Sequence, residues 1–295
     1  MALCFTLFVA RSARAEQREP EQKEAEHRMQ WNYPRFHLLE YAAAGLVTGV
    51  GFWLAYGTRG KPDNGIDGPI LLDGPSRDLF LVRDMETRKK LDLASDLMWH
   101  STQYFPVVDS IVTPLASDNF NIDVATQMML INWEVMGTAF FLTRATHRLV
   151  GRTRPVLQDC EVNPEAYSGC DEPQEDVDSP LNSSFLSGHA SLAFAGASLT
   201  CAHHTALPLY GGNAGDAIVC AMSLASASTV AMLRVMVDAH WWSDVMAGAM
   251  LGSLTGWGLP YLLHYAHPLE VKGVGKAALI PIVSPDTIGL SVGVF

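Results

Sequence analysis

Positive charge is scarce in this chain. Its 295 residues hold 20 Lys and Arg against 31 Asp and Glu, a formal net charge of −11. No basic stripe exists to neutralise a phosphate backbone, which argues against nucleic acid as a partner. The few arginines beside apolar segments are then candidates to hold a small anionic group. Cysteine is also rare, with five in all. No CxxC pair or Cys/His cluster suggests a structural zinc site, so no metal is expected. Cys4, Cys201 and Cys220 lie in apolar stretches and read as small buried side chains. Cys160 and Cys170 flank a polar loop and could close a disulfide in an oxidising compartment. The acidic run DEPQEDVDSP in that loop lacks the ordered spacing of a calcium loop and reads as solvated. No internal repeat is visible, and no long apolar segment is free of polar residues.

Apolar residues make up 48% of the chain, and mean hydropathy is +0.12. Six segments read as long apolar helices: 37–57, 95–116, 122–146, 187–207, 216–236 and 243–265. Several approach the ~20 residues needed to cross a hydrocarbon core. Glu40, Asp109, Glu134, His203 and His204 interrupt them. Small residues dominate the last three, as close helix packing in a membrane bundle requires. The expected fold is an all-α bundle of about six helices, with membrane embedding favoured over a soluble bundle with Ala-rich interfaces. Residues 1–15 hold a short apolar run before Ala13-Arg14-Ala15, which resembles a signal-peptidase site but lacks a basic n-region. Residues 1–35 thus form an export-like or anchoring segment with a charged linker, and 36–268 the helical domain. The tail, 269–295, has short β-branched runs that look like one or two strands.

Three polar clusters stand at helix ends: HRLVGRTRP (147–155), SSFLSGHAS (183–191) and MLRVMVDAHWWSDVM (232–246). In an antiparallel bundle they share one face. Separately, each has a plain reading: interfacial arginines, a helix start capped by Ser187, and a surface His–Asp pair. Together they make a site. Guanidiniums from Arg154 and Arg234 suit a tetrahedral oxyanion. Backbone N–H groups around Ser187, Gly188 and His189 would add donors at a helix N-terminus, with Gly188 permitting close approach. His240, held by Asp244 four residues on, could use its free ring nitrogen as a nucleophile toward phosphorus. His189 could donate a proton to the leaving oxygen. The pattern describes a metal-independent phosphomonoesterase that needs no cofactor.

The chain here resembles the phosphatidic acid phosphatase type 2 and haloperoxidase superfamily, whose signature is KxxxxxxRP, PSGH and SRxxxxxHxxxD. The corresponding stretches are HRLVGRTRP, LSGH and LRVMVDAHWWSD. The resemblance covers 122–265 and implies His240 as nucleophile, Asp244 as its orienting partner and His189 as general acid. It implies Arg154, Arg234, Ser187 and the Gly188 amide as the phosphate cradle. Three positions depart from the signature: His147 replaces the lysine, Leu186 the proline and Leu233 the serine. Were His147 to fill the lysine's place, only its protonated form would carry the charge. Activity would then fall somewhat above its reference pKa of about 6.5, unless Arg148 or Arg152 substitutes. Asp238 matches no signature position.

The resemblance implies a phosphatase for a lipid phosphate or polyprenyl diphosphate, acting at a bacterial inner membrane with its site facing the periplasm. Three alternatives share the same residues: a soluble exported acid phosphatase, a vanadate-dependent haloperoxidase, and an inactive phosphate-binding homologue. The sequence does not speak to oligomeric state.

Overall fold

The computed structural model describes residues 29–36, 38–57, 66, 68–117, 120–160 and 183–266, and the backbone of 269–271, 275–284 and 287–294. The export-like segment, the acidic run and Cys170 lie outside the described residues.

Among the described residues, eight α-helices precede a small sheet. They are α1 (Leu38–Phe52), α2 (Asp73–Phe80), α3 (Met85–Ala116), α4 (Ile122–Val150), the short α5 (Leu157–Cys160), α6 (Gly188–Ala206), α7 (Ala214–Met236) and α8 (Trp242–Ser253). Wider π-type turns extend α1 over Trp53–Gly57 and α8 over Leu254–Gly258 and Tyr261–Tyr265. Side chains fix several starts: Asp84 accepts from the Thr87 amide at 2.8 Å, and Asn121 from the Val124 amide at 3.1 Å. Each satisfies an amide that the first helical turn leaves unpaired. Gly151 ends α4 in the left-handed region, at φ 56°, where glycine costs least.

The bundle is built around α6, whose residues from Ala190 to His204 are all buried except Phe194. Small residues let its neighbours approach. On α8, Gly248 and Gly252, with Gly256 in the turn beyond, stand every four residues against the α6 backbone. A Cβ on Gly252 would meet the Ser191 carbonyl oxygen at 2.2 Å, and one on Gly256 the Ala195 oxygen at 2.3 Å. Gly196 of α6 makes the same close approach to the Thr102 carbonyl of α3. This is the packing that small residues at i, i+4 spacing permit in membrane bundles.

The polar interruptions expected to be costly are paired inside the bundle. Glu134 meets His264 at 2.9 Å, and His203 meets Asn132 at 2.9 Å. His204 lies between Asp216, at 2.7 Å, and Asp109, at 3.2 Å. Buried ionisable groups persist only with such partners.

Four features differ from expectation. Helix α3 begins at Met85, ahead of the residue-95 start, because Asp84 caps a charged first turn that hydropathy alone does not mark. The short α2 was not expected at all. Cys201 and Cys220, read as buried thiols, are joined in a disulfide that ties α6 to α7. The tail forms three strands rather than one or two: β1 (Leu269–Val271), β2 (Gly275–Ser284) and β3 (Thr287–Val294). They pair antiparallel in chain order, with Leu269 opposite Ala277 and Ser284 opposite Thr287.

Candidate active site

The antiparallel course brings the end of α4, the start of α6, the end of α7 and the start of α8 to one end of the bundle. His240 sits between α7 and α8, almost fully buried. Its Nδ1 lies 2.8 Å from the Ser184 carbonyl oxygen. A carbonyl can only accept, so Nδ1 carries the proton and Nε2 keeps its lone pair. Burial, then the charges of Arg154, Arg234 and neighbouring His189, hold the His240 pKa well below the ordinary imidazole range. The ring is therefore neutral, and its free nitrogen lies within the field of both arginines.

Asp244 does not touch His240 directly, contrary to the expected pairing. Its carboxylate accepts from Arg152 at 2.6 Å, from the Trp241 amide at 3.0 Å and from the Ser184 hydroxyl. With both oxygens used in this way, the ring turns to the Ser184 carbonyl instead. Asp244 thus orients His240 through Ser184, which also donates its own amide to the Arg152 carbonyl at 2.9 Å. Ser184 lies inside the quoted SSFLSGHAS, yet nothing in its residue type marked it.

Arg152 is 0% exposed and bridges two buried carboxylates, Asp244 and Asp73, each at 2.6 Å. Asp73 also accepts from the Ser243 amide at 2.8 Å and the Ile70 amide at 2.9 Å. Burial would raise the Asp73 carboxyl, but these backbone donors, Arg152 and the Ser243 hydroxyl outweigh it and lower its pKa. Arg152 is spent on this lock and does not stand in for the family lysine. Arg148 is likewise engaged, its Nε donating to the Leu54 carbonyl at 3.0 Å. Asp238 adopts φ 64° and makes two 2.7 Å bonds to Arg77 of α2. It clamps the loop before His240 rather than entering the site.

His147 stands where the family places a lysine, close to Gly188: a Cβ there would lie 3.9 Å from its Cε1. Its Nε2 donates to the Leu186 carbonyl at 2.7 Å. Burial pulls its pKa down to about 4, against that hydrogen bond, while Arg144, Arg154 and Arg148 add to the fall. Near neutrality the ring is therefore uncharged with the site empty.

The remaining residues converge as expected. Arg154 donates to the Ala239 carbonyl at 2.9 Å. The Arg234 carbonyl accepts from the amides of Ala239 and His240 at 3.1 and 3.2 Å. Ser187 caps α6, accepting from the Ala190 amide at 3.4 Å, but its own amide is taken by the Asp244 carbonyl at 3.1 Å. The Gly188 and His189 amides, at the first two helical positions, are the ones left pointing beyond the helix. Helix α3 adds two residues the sequence reading missed. Asp92 pairs with Arg234 at 2.5 Å, and Asp96 lies 2.9 Å from His189 Nε2. Asp92 falls in the charged turns that the 95–116 reading left out of the helix, and Asp96 stands in its first turn, where nothing marked it.

Residues 130–268 match the family model described as the PAP2 superfamily. That stretch contains all three motifs, and the match supports the resemblance to this superfamily and, with it, a phosphatase-type hydrolase activity in general. No curated protein and no solved structure matches the chain.

Proposed function

We propose that the protein hydrolyses a lipid phosphate or polyprenyl diphosphate through a phosphohistidine on His240. The observation that carries this reading is the hydrogen bond that fixes the His240 tautomer, leaving an unprotonated Nε2 on a ring within the field of Arg154 and Arg234. Nε2 attacks the terminal phosphorus, an N–P bond forms and the P–O bond to the leaving oxygen breaks, an ester bond in a monophosphate and an anhydride bond in a diphosphate. The leaving oxygen takes a proton from His189. Water then attacks the phosphohistidine, gives its proton back to His189, and phosphate leaves. Arg154, Arg234 and the Gly188 and His189 amides would hold the phosphoryl oxygens as charge builds on them. Ser187 contributes its hydroxyl, and neutral His147 contributes shape rather than charge. No metal or cofactor takes part in this scheme.

The membrane reading rests on exposure. Two helices, Leu38–Gly57 and Ala214–Met236, are long and apolar enough to span a bilayer. Only 11% of the first and 33% of the second is buried against protein. A soluble core helix would be mostly covered, whereas Leu38, Leu46, Phe52, Ile218 and Met222 all face outward. We place the site on the periplasmic side of a bacterial inner membrane. Arg11, Arg14, Arg18, Lys23, Arg28 and Arg35 precede the first span. Cys160, at the catalytic end, is disulfide-bonded, as suits an oxidising side.

The test is phosphate release by the detergent-solubilised chain over lipid phosphates, polyprenyl diphosphates and soluble esters. Wild-type protein should prefer a lipid substrate and carry acid-labile phosphate on His240 during turnover. His240→Ala should remove both signals while the protein stays folded. Full turnover by the variant would refute the mechanism.

A further inference from the structure

The catalytic end holds one contact that the reaction scheme above does not use. Asp96 belongs to α3, ahead of the stretch that matches the superfamily model. Its Oδ1 lies 2.9 Å from His189 Nε2 and 3.6 Å from the Arg234 guanidinium. Trp99, one turn along α3, sets its ring 4.5 Å from the His189 ring. The imidazole is thus braced from α3 by an acceptor and an aromatic face.

We propose that Asp96 is the positioning residue of the general acid, fixing the His189 tautomer so that Nδ1 delivers the proton to the leaving oxygen. This rests on the phosphatase reading and deepens it. A carboxylate accepts, so the Nε2 proton points at Asp96 and is not the one transferred. Nδ1 has no hydrogen-bond partner among the described residues and is left to face the phosphoryl group. The arrangement mirrors His240, where a carbonyl fixes the opposite nitrogen. Each histidine then has one nitrogen anchored and one free for chemistry.

His189 must gain a proton before it can donate one, and substrate arrival supplies the change. With the site empty, burial, then Arg234 and Arg154, pull the His189 pKa down to about 3; Asp92 opposes the fall and His100 adds to it. A phosphate seated on the two arginines removes their repulsion, and Asp96 stays in contact with the ring. Protonation is then coupled to substrate arrival. With a side chain 48% exposed, Asp96 contributes orientation and proton affinity rather than fold stability.

The experiment measures kcat/KM for the full chain on p-nitrophenyl phosphate, whose leaving group needs no proton, and on octyl phosphate, whose alkoxide does. Loss of a positioned general acid costs about 10²–10⁴-fold, so His189→Asn should lose that much on octyl phosphate. Asp96→Asn should lose about 10–100-fold on octyl phosphate and less than about fivefold on the aryl ester. Retained aryl turnover itself certifies a folded site. Asp92→Asn removes the carboxylate bonded to Arg234, so it should slow both substrates, the aryl ester included. Equal losses on both esters for Asp96→Asn, or no loss on either, would overturn the proposal. Wild-type protein that cleaves neither these esters nor any lipid phosphate or polyprenyl diphosphate would refute the phosphatase reading and this inference with it.

Discussion

His147 and His240 both donate to a backbone carbonyl, yet through different nitrogens. His240 uses Nδ1 and keeps Nε2 free, whereas His147 spends Nε2 on Leu186. Only the first geometry serves a nucleophile. His147 titrates at about 4, below its ordinary value. Its charged fraction therefore falls as pH rises through 4, to about one part in a hundred by pH 6. His147→Gln, which keeps a hydrogen-bond donor, should accordingly hold kcat/KM within about fivefold of wild type between pH 6 and 8, or about 1 kcal/mol. Matched pH profiles on one phosphate ester check this. A loss that grows as pH falls would show that protonated His147 does contact the substrate.

At the scale of elements, the site depends on how closely α8 lies on α6. Gly248 and Gly252 bring Asp244 to the Ser187 amide, whose hydrogen bond to the Asp244 carbonyl joins the two helix starts. A side chain at Gly252 meets backbone, not a yielding side chain, so the helices must part. Gly252→Val should cost about 3 kcal/mol or more, at the upper end of overpacking effects. It should also lower kcat more than KM by moving Asp244 and His240 away from His189. Thermal unfolding in detergent and steady-state kinetics measure the two effects. Unchanged stability would mean that the helices are not in backbone contact. The second lock is electrostatic. Asp73, Arg152 and Asp244 are fully buried, and Arg152 donates to both carboxylates, tying α2 and the loop after α4 to the start of α8. Removing one member would strand a buried charge.

For the whole molecule, the question is what solvates the outer surface. Beyond the two spans, Met246, Met250, Leu254 and Leu262 extend the apolar exposure onto the α8 side of the bundle. An uncovered apolar surface of that kind drives aggregation in water and insertion in lipid. The protein should therefore remain with the membrane fraction through high-salt washing and enter solution only with detergent. Monodisperse protein recovered from the aqueous fraction without detergent would remove the membrane reading.

The sequence by itself determined the helical character and the identity of the polar clusters. Apolar segments near ~20 residues imply long helices, and the spacing of Arg234, His240 and Asp244 survives in any helix–loop–helix context. Motif order alone was enough to bring Arg154, Ser187, His189 and Arg234 to one end, because antiparallel helices return there. What only the tertiary structure decided were partners set by packing between distant elements. Asp244 is nearer to His240 in sequence than Arg152 is, yet Arg152 and Ser184 take its oxygens. The sequence offered Arg152 as a spare cation; burial against Asp73 made it a lock. Asp92 lies ahead of the 95–116 segment and Asp96 at its edge, and the capped start of α3 carries them to Arg234 and His189. Hydrogen-bond capacity is finite and is allotted in three dimensions. Spacing along the chain names the groups that can react; which of them meet is decided by what else has already claimed their lone pairs and protons.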